Sequence, residues 1–298
     1  MCRVLKRVVV VLSFFVAVVL AGHRYVPALG GFTTVLESLL PWVGLAVPVL
    51  LLGALLARST AAAGSVLAPA LVWGLMFGPA LLRTPPGGPS DLSAGTVNVG
   101  VRNNLSGEAV RAVAEDLDLL AAQELTPGGP AAKQLNQMFE HRYTVSTVGL
   151  WSRWPISRKR PLDVGMGWVR ALRAVVSTPK GDVTVYVMHL ASARPGETSS
   201  RDASLAQARK LVDRDDSKRI LLLGDLNTAT TDRGMRGLTP PLQDAQEVAG
   251  TGFGFTWPSR FPVTRPDHIL FRGMTATRAE VAPATGSDHR AAIASFRL

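Results

Sequence analysis

The chain has 298 residues, 47% of them hydrophobic and 18% charged, with a formal net charge of +10. Its one cysteine, Cys2, excludes an intramolecular disulfide, a cysteine-ligated zinc site and a thiol nucleophile beyond the N-terminus. The averages hide a division: residues 1–83 set Glu37 alone against Arg3, Lys6, Arg7, Arg24, Arg58 and Arg83, while the other 215 residues carry 26 basic and 21 acidic groups. That +5 excess suits an anionic substrate or a headgroup surface, and falls short of the basic footprint of a dedicated DNA-binding module.

Three apolar stretches come first, Val8 to Ala21, Val35 to Leu56 and Ala61 to Leu82. About 20 apolar residues cross a bilayer as a helix, so the second and third qualify. The first reaches that length if Arg3 to Arg7 snorkel; a cleaved signal peptide is its competing reading. The expectation is a three-helix membrane anchor over 1–83, with Pro41 and Pro48 able to turn the middle stretch into a kinked or re-entrant element. Arg3, Lys6, Arg7 and Arg58 place one end in the cytoplasm, which sends everything after Arg83 to the extracytoplasmic side. Pro85-Pro86-Gly87-Gly88-Pro89 marks residues 84–94 as a linker.

From residue 95 onward short apolar runs alternate with turn signals. Strands are expected at Thr96 to Gly100, Leu119 to Ala122, Ile220 to Asp225, from Pro266, and at Ala291 to Arg297. A hairpin is expected over Arg170 to His189, and helices at Glu108 to Leu117 and Ala203 to Val212. Many strands with scattered helices argue for two packed sheets flanked by helices. Polar residues gather where these strands end: Asn98, Glu124, His189, Asp225, Asn227, Asp267, Asp288 and His289. Asp225 and Asn227, two residues apart after Ile220-Leu221-Leu222-Leu223, share a face and suit a divalent cation or a phosphate. Taken singly, Asn98 reads as a turn residue, Glu124 as a solvated carboxylate and His189 as a half-buried structural histidine. Together they read as a site. His23, His141 and His268 are assigned structural roles, and Trp151, Trp154, Trp168 and Trp257 mostly packing roles.

The order of motifs, "NVGVRNN", "QELTP", "GLWSRWPI", "VMHL", "GDLN", "RPDHIL" and "SDH", resembles the endonuclease/exonuclease/phosphatase superfamily with the DNase I-like fold. The resemblance spans residues 95–298 and implies a four-layered α-β-β-α sandwich that hydrolyses phosphate esters with Mg2+ (or Mn2+). It further implies that Asn98, Glu124 and Asp288 serve the metal and that His189 contacts the scissile phosphate or assists the leaving group. In the same way Asp225 would activate water, Asn227 hold the phosphate, and Asp267 buttress His289. The residue types fit that chemistry independently. In-line attack on phosphorus needs a cation, hydrogen-bond donors and a positioned base, and an Asp–His pair raises the imidazole pKa and fixes its tautomer.

The anchored architecture also resembles teicoplanin-resistance membrane proteins of the VanJ type. It implies a phosphate-bearing lipid such as a polyprenyl pyrophosphate, or another cell-envelope phosphate, as substrate, with a link to glycopeptide resistance. Two rivals are carried. A tethered nuclease would use the same residues but needs a longer basic groove, which makes nucleic acid the less favoured partner. A non-catalytic lipid- or glycopeptide-binding resistance factor would tolerate gaps in the constellation.

Overall fold

The computed structural model describes residues 2–29, 31–100, 105–194 and 196–298; part of the "NVGVRNN" motif, residues 101–104, lies outside them. The first part is helical: α1 (Cys2–Gly22), a 3-10 turn (His23–Tyr25), α2 (Phe32–Val43), α3 (Ala46–Leu56), α4 (Thr60–Ser65) and α5 (Leu67–Leu82). Two helices, Cys2–Tyr25 and Thr60–Leu82, are long and apolar enough to cross a membrane. The stretch between them is not one straight span, because α2 and α3 meet at 59°. Pro48 supplies the reason, since it has no N–H to return to the carbonyl of Gly44 and the ladder breaks there. Gly44 sits beneath Trp73, where an added Cβ would lie 2.4 Å from the indole. Large apolar side chains such as Phe15, Val18, Leu52 and Leu75 are exposed on the helices, a surface that calls for a non-aqueous neighbour.

The two ends of the helical part differ. Val9, Leu50, Ala54, Ala62 and Val66 pack at the end near Arg58 and the N-terminus. Leu20, Leu40 and Phe77 pack at the other, against Phe253 of the body that follows. The basic end and the body therefore lie at opposite ends of the bundle.

That body is built from β1 (Leu92–Asn98), α6 (Gly107–Ala114), β2 (Leu119–Gln123), α7 (Pro130–Met138), β3 (His141–Val145), β4 (Val148–Ser152), β5 (Ile156–Leu162) and β6 (Ala171–Thr178). It continues through β7 (Gly181–His189), α8 (Ser199–Asp213), β8 (Ile220–Asp225), β9 (Gln243–Asp244), α9 (Ala245–Ala249), β10 (Asp267–Arg272), β11 (Thr275–Ala282) and β12 (Ala291–Arg297). The first strand thus begins inside the expected linker, and Gly87 N–H already donates to the Thr277 carbonyl at 2.9 Å.

Two mixed six-stranded sheets result, ordered β11-β12-β1-β2-β4-β3 and β5-β6-β7-β8-β10-β9. Leu150, Val185, Leu221, Leu223, Phe271 and Phe296 fill the space between them. Each fully buried large side chain of this kind contributes about 1.5–3 kcal/mol. Helices α6 and α7 cover the first sheet through Val110, Val113 and Leu135, and α8 covers the second through Leu205, Ala208 and Val212. The α-β-β-α layering agrees with a DNase I-like sandwich. Each sheet has one parallel pair near its middle, β1 with β2 and β7 with β8. Parallel neighbours end at the same edge, and that places the polar strand ends side by side.

On the outer face Asp215 accepts from Arg173 Nε at 2.7 Å and from the Tyr186 hydroxyl at 2.5 Å. Burial would raise its pKa, but Arg173, Ser217 and Tyr186 hold it well below the ordinary value near 3.8, while burial and Asp215 push Tyr186 up to about 12. A lowered carboxylate pKa stabilises the fold above its ordinary value and loses that contribution as pH falls toward the lowered one. Asp215→Ala should cost about 3 kcal/mol at neutral pH by stranding Arg173. Thermal unfolding read against pH checks this: the gap between wild type and variant should close in acid.

Candidate active site

The register of the parallel pairs sets His189 opposite Asp225 and Asn98 opposite Gln123, and the antiparallel β10 sets Asp267 opposite Asp225. Six side chains meet on that rim, those of Asn98, Glu124, His189, Asp225, Asp267 and His289. Asp225 is 1% exposed; its Oδ2 accepts from Asn98 Nδ2 at 3.0 Å and lies 3.7 Å from His189 Nε2 and 3.9 Å from His289 Nε2. Asp267 accepts from His289 Nδ1 at 2.8 Å and from the Thr256 hydroxyl at 2.5 Å through the same oxygen. Its other oxygen, Oδ1, is buried with no partner among the described residues. Glu124, next along from the end of β2, reaches within 3.7 Å of His189 Nε2.

Local backbone explains why these residue types stand where they do. Gly224 has φ +156, and a Cβ there would sit 1.9 Å from the Met188 carbonyl oxygen, so only glycine lets β8 close against β7 just before Asp225. Asn227 and Glu124 adopt left-handed backbone at φ +49 and +54. Asn tolerates that region readily; for Glu the cost is of order 1–3 kcal/mol, which the surrounding fold supports. Asn227 N–H donates to Asp225 Oδ1 at 2.9 Å and its Nδ2 donates to the Leu190 carbonyl at 3.0 Å, tying the turn to the end of β7.

The electrostatics divide the groups into distinct states. Burial, and then the Asp267 carboxylate, push Asp225 up from its ordinary value. Burial opposes charge on His289, but Asp267, Asp225 and Asp288 outweigh it and raise the imidazole to about 10. His189 goes the other way: burial lowers it to about 4, with Arg170 and His289 adding to the drop against the pull of Asp225. One imidazolium and one neutral imidazole therefore flank a buried carboxylate.

Asp288 stands apart. It is exposed, and its backbone carbonyl accepts from Ser259 N–H at 2.7 Å; its carboxylate is outside the Asp225, Asp267 and His289 cluster, whose ligand atoms lie within 4.8 Å of one another. His268 is buried between Asp244 at 2.9 Å and the Thr228 carbonyl at 2.8 Å, a structural role. Trp151 is fully buried, whereas Trp168 and Trp257 are 47% and 41% exposed.

Arg170 was not singled out by the sequence. Its guanidinium lies against His189, Nη2 2.7 Å from Nε2, and its Cζ sits 4.9 Å from the Trp168 ring centroid. The signal in the sequence was faint: an arginine opening a strand reads as solvated. Arg170→Ala should lower kcat about tenfold to a hundredfold with less effect on KM, because a fixed cation beside the rim stabilises charge that develops during reaction. Steady-state kinetics would show it.

Two mixed sheets, this rim and the order of its residues decide the family. The endonuclease/exonuclease/phosphatase family profile matches residues 95–289. The chain belongs to that family. No curated protein matches it. Among solved structures, truncated TDP2 from Caenorhabditis elegans is 19% identical, covering 70% of this chain and 97% of its own at a TM-score of 0.57. D. rerio TDP2 complexed with single strand DNA product is 17% identical, covering 70% and 99% at 0.59. The mannosyl-6-phosphatase of Bacteroides thetaiotaomicron is 15% identical, covering 70% and 100% at 0.56. At these identities they show the shared fold.

Proposed function

We propose that this protein is a membrane-anchored phosphoesterase whose active site faces the extracytoplasmic side. Its substrate is a phosphate-bearing lipid such as a polyprenyl pyrophosphate, or another cell-envelope phosphate. The observation that carries the reading is that the rim holding Asn98, Glu124, His189, Asp225, Asp267 and His289 is fastened to the apolar helices. Trp42 of α2 donates its indole N–H to the Val263 carbonyl at 2.9 Å, and Val263 lies in the same loop as Thr256, the hydroxyl partner of Asp267. Trp257 and Phe261 of that loop are exposed, at 41% and 68%, as amphipathic and apolar rings at a bilayer interface would be. Confining enzyme and lipid to one plane raises their effective concentration. Arg3, Lys6, Arg7 and Arg58, at the far end of the bundle, support a cytoplasmic N-terminus. The family, the anchored plan and the resemblance to VanJ-type proteins support a role in glycopeptide resistance.

Asp225 is the base that takes a proton from the attacking water, its raised pKa bringing it nearer the working pH. His289, held as imidazolium by Asp267, donates from Nε2 to a phosphate oxygen, and neutral His189 donates a second hydrogen bond. Asn227, on its fixed turn, orients the phosphate. A divalent cation fits the rim, whose carboxylate and amide oxygens are hard donors and whose Asp267 Oδ1 is a buried acceptor with no partner among the described residues. Mg2+ or Mn2+ would be held by Asn98 and Glu124 beside the buried Asp225, Asp267 and His289 cluster, from which the exposed Asp288 stands apart, and would supply Lewis-acid stabilisation of the phosphoryl charge.

The test sets phosphate release from a polyprenyl pyrophosphate in mixed micelles against cleavage of plasmid DNA, each with and without Mg2+. Metal-dependent phosphate release without DNA cleavage is expected. The reverse pattern would make the protein a tethered nuclease, and neither activity would make it a binding factor.

A further inference from the structure

A crevice of about 720 Å³ lies at the joint between the helices and the two-sheet body, and none of the hydrolytic residues lines it. Pro41, Met76 and Phe77 form its helical wall, and Phe253 and Phe255 face them. The aromatic floor is closely packed: Phe77 meets Phe253 edge-on at 5.9 Å, and Phe253 stacks on Phe255 at 5.1 Å. The lining also holds three cations, Arg24, Arg83 and Arg265, the hydroxyls of Thr230 and Thr231, and two acids, Asp244 and Glu247. Arg24 lies in the 3-10 turn that follows α1 and Arg83 directly follows α5, so both cations stand where the two long apolar helices end.

The acids in the lining are largely engaged. Asp244 binds Arg265 at 2.6 Å and His268 at 2.9 Å, and Glu247 lies 3.9 Å from Arg265. Arg83 makes one long bond, 3.4 Å to the Gln246 carbonyl, and Arg24 is exposed. Arg265 Nε is buried with no partner among the described residues.

An apolar floor continuous with the helices, beneath cations and hydroxyls at helix-end level, is complementary to an amphiphile with a phosphate headgroup. The volume falls within the range of small-molecule sites. We propose that this crevice binds one anionic phospholipid of the surrounding leaflet, its headgroup between Arg24 and Arg83 and its chains against Met76 and Phe77. The inference rests on the membrane-anchored reading, and the site is separate from the hydrolytic rim. Its occupant touches the catalytic loop, since Thr230 is three residues past Asn227 and Arg265 two before Asp267.

The experiment reconstitutes the full chain in phosphatidylcholine nanodiscs with phosphatidylglycerol as a minor component and counts retained lipid by native mass spectrometry. Wild type and D225N should retain phosphatidylglycerol alike. Arg24→Gln should retain roughly fivefold less, and the R24Q/R83Q double variant roughly thirtyfold less, at the value of about one surface cation per step. Arg24 is exposed, so the single variant keeps the test open if the double variant misfolds. Equal retention by wild type and R24Q overturns the proposal. So does loss of retention in D225N alone, which would place the lipid at the rim. The readout needs no turnover, so failure here and failure of the phosphoesterase reading are distinguishable.

Discussion

Asp225→Asn is expected to lower turnover by about 10²–10⁴, the range for loss of a positioned general base, while the thermal midpoint stays level or rises. Two opposing roles of one carboxylate produce this split. As a base, Asp225 must be ionised and must face the attacking water. As a part of the fold it is a buried charge beside a second buried charge, and both burial and Asp267 push its pKa up. A carboxylate whose folded pKa exceeds its unfolded one destabilises the fold above that range, and the penalty vanishes as pH falls through it. The amide keeps the shape and carries no charge to repel Asp267, and its single oxygen retains one of the two bonds that Asp225 accepts from Asn98 Nδ2 and Asn227 N–H, the relieved repulsion offsetting the other. Asp225→Ala should lose activity to the same degree but forfeits the Asn98 and Asn227 bonds, so its midpoint should drop. Phosphate release and thermal unfolding of both variants, measured on one preparation, check the pair. Wild-type turnover in Asp225→Asn would remove the mechanism.

The site was legible in the sequence where a polar residue follows directly on a buried strand. Asp225 after Ile220 to Leu223, Glu124 after the Leu119 run and His189 at the end of the Val183 run are all of this kind. The continuous apolar run of a strand buried on both faces stops there, and a polar group at the break has nowhere to point except the rim. Asp267 and His289 were legible for the same reason, being the first residue of one strand and two residues ahead of another. Arg170 was not, because its value depends on β6 and β7 pairing so that it falls beside His189, and a single strand carries no trace of that partner. The bend in the middle apolar stretch was legible, because Pro41 and Pro48 marked it as able to kink or re-enter, whereas hydropathy alone averages across a proline without registering the lost hydrogen bond. Which of the four tryptophans pack and which reach the surface was not legible, because tryptophan composition says nothing about which edge a loop occupies. The longest-range miss concerns Glu37, conspicuous as the only acid among 83 residues, whose counter-ion lies 196 residues further on.

Glu37→Ala should be the most damaging change outside the catalytic rim, costing about 3 kcal/mol and lowering kcat as well. The carboxylate is 1% exposed. It accepts from Arg233 N–H at 2.8 Å and Nε at 3.0 Å, and from His23 Nδ1 at 3.2 Å, while its own backbone carbonyl accepts from the Thr231 hydroxyl at 2.5 Å. Arg233 completes the joint by donating to the Val26 and His23 carbonyls at 2.8 and 2.9 Å. Removing the acid leaves a guanidinium facing apolar helices with nothing to neutralise it, and breaking such a buried pair costs roughly 3–5 kcal/mol; Arg233 is 32% exposed, which argues for the lower end. The effect on kcat follows from where the joint is made. Thr231 and Arg233 belong to the turn that leaves Asn227, and Arg201 ties the same turn to α2 by bonding Asp232 at 2.7 Å and Thr34 at 2.8 Å. The helices thus brace the turn that carries Asn227, the residue proposed to orient the phosphate, as well as tethering the two-sheet body. Glu37→Gln, which keeps an acceptor for the Arg233 backbone N–H, should recover part of the stability and most of the turnover. Thermal midpoints in detergent, with kcat and KM measured separately, distinguish bracing from tethering: a simple tether predicts no change in kcat for micellar substrate in either variant.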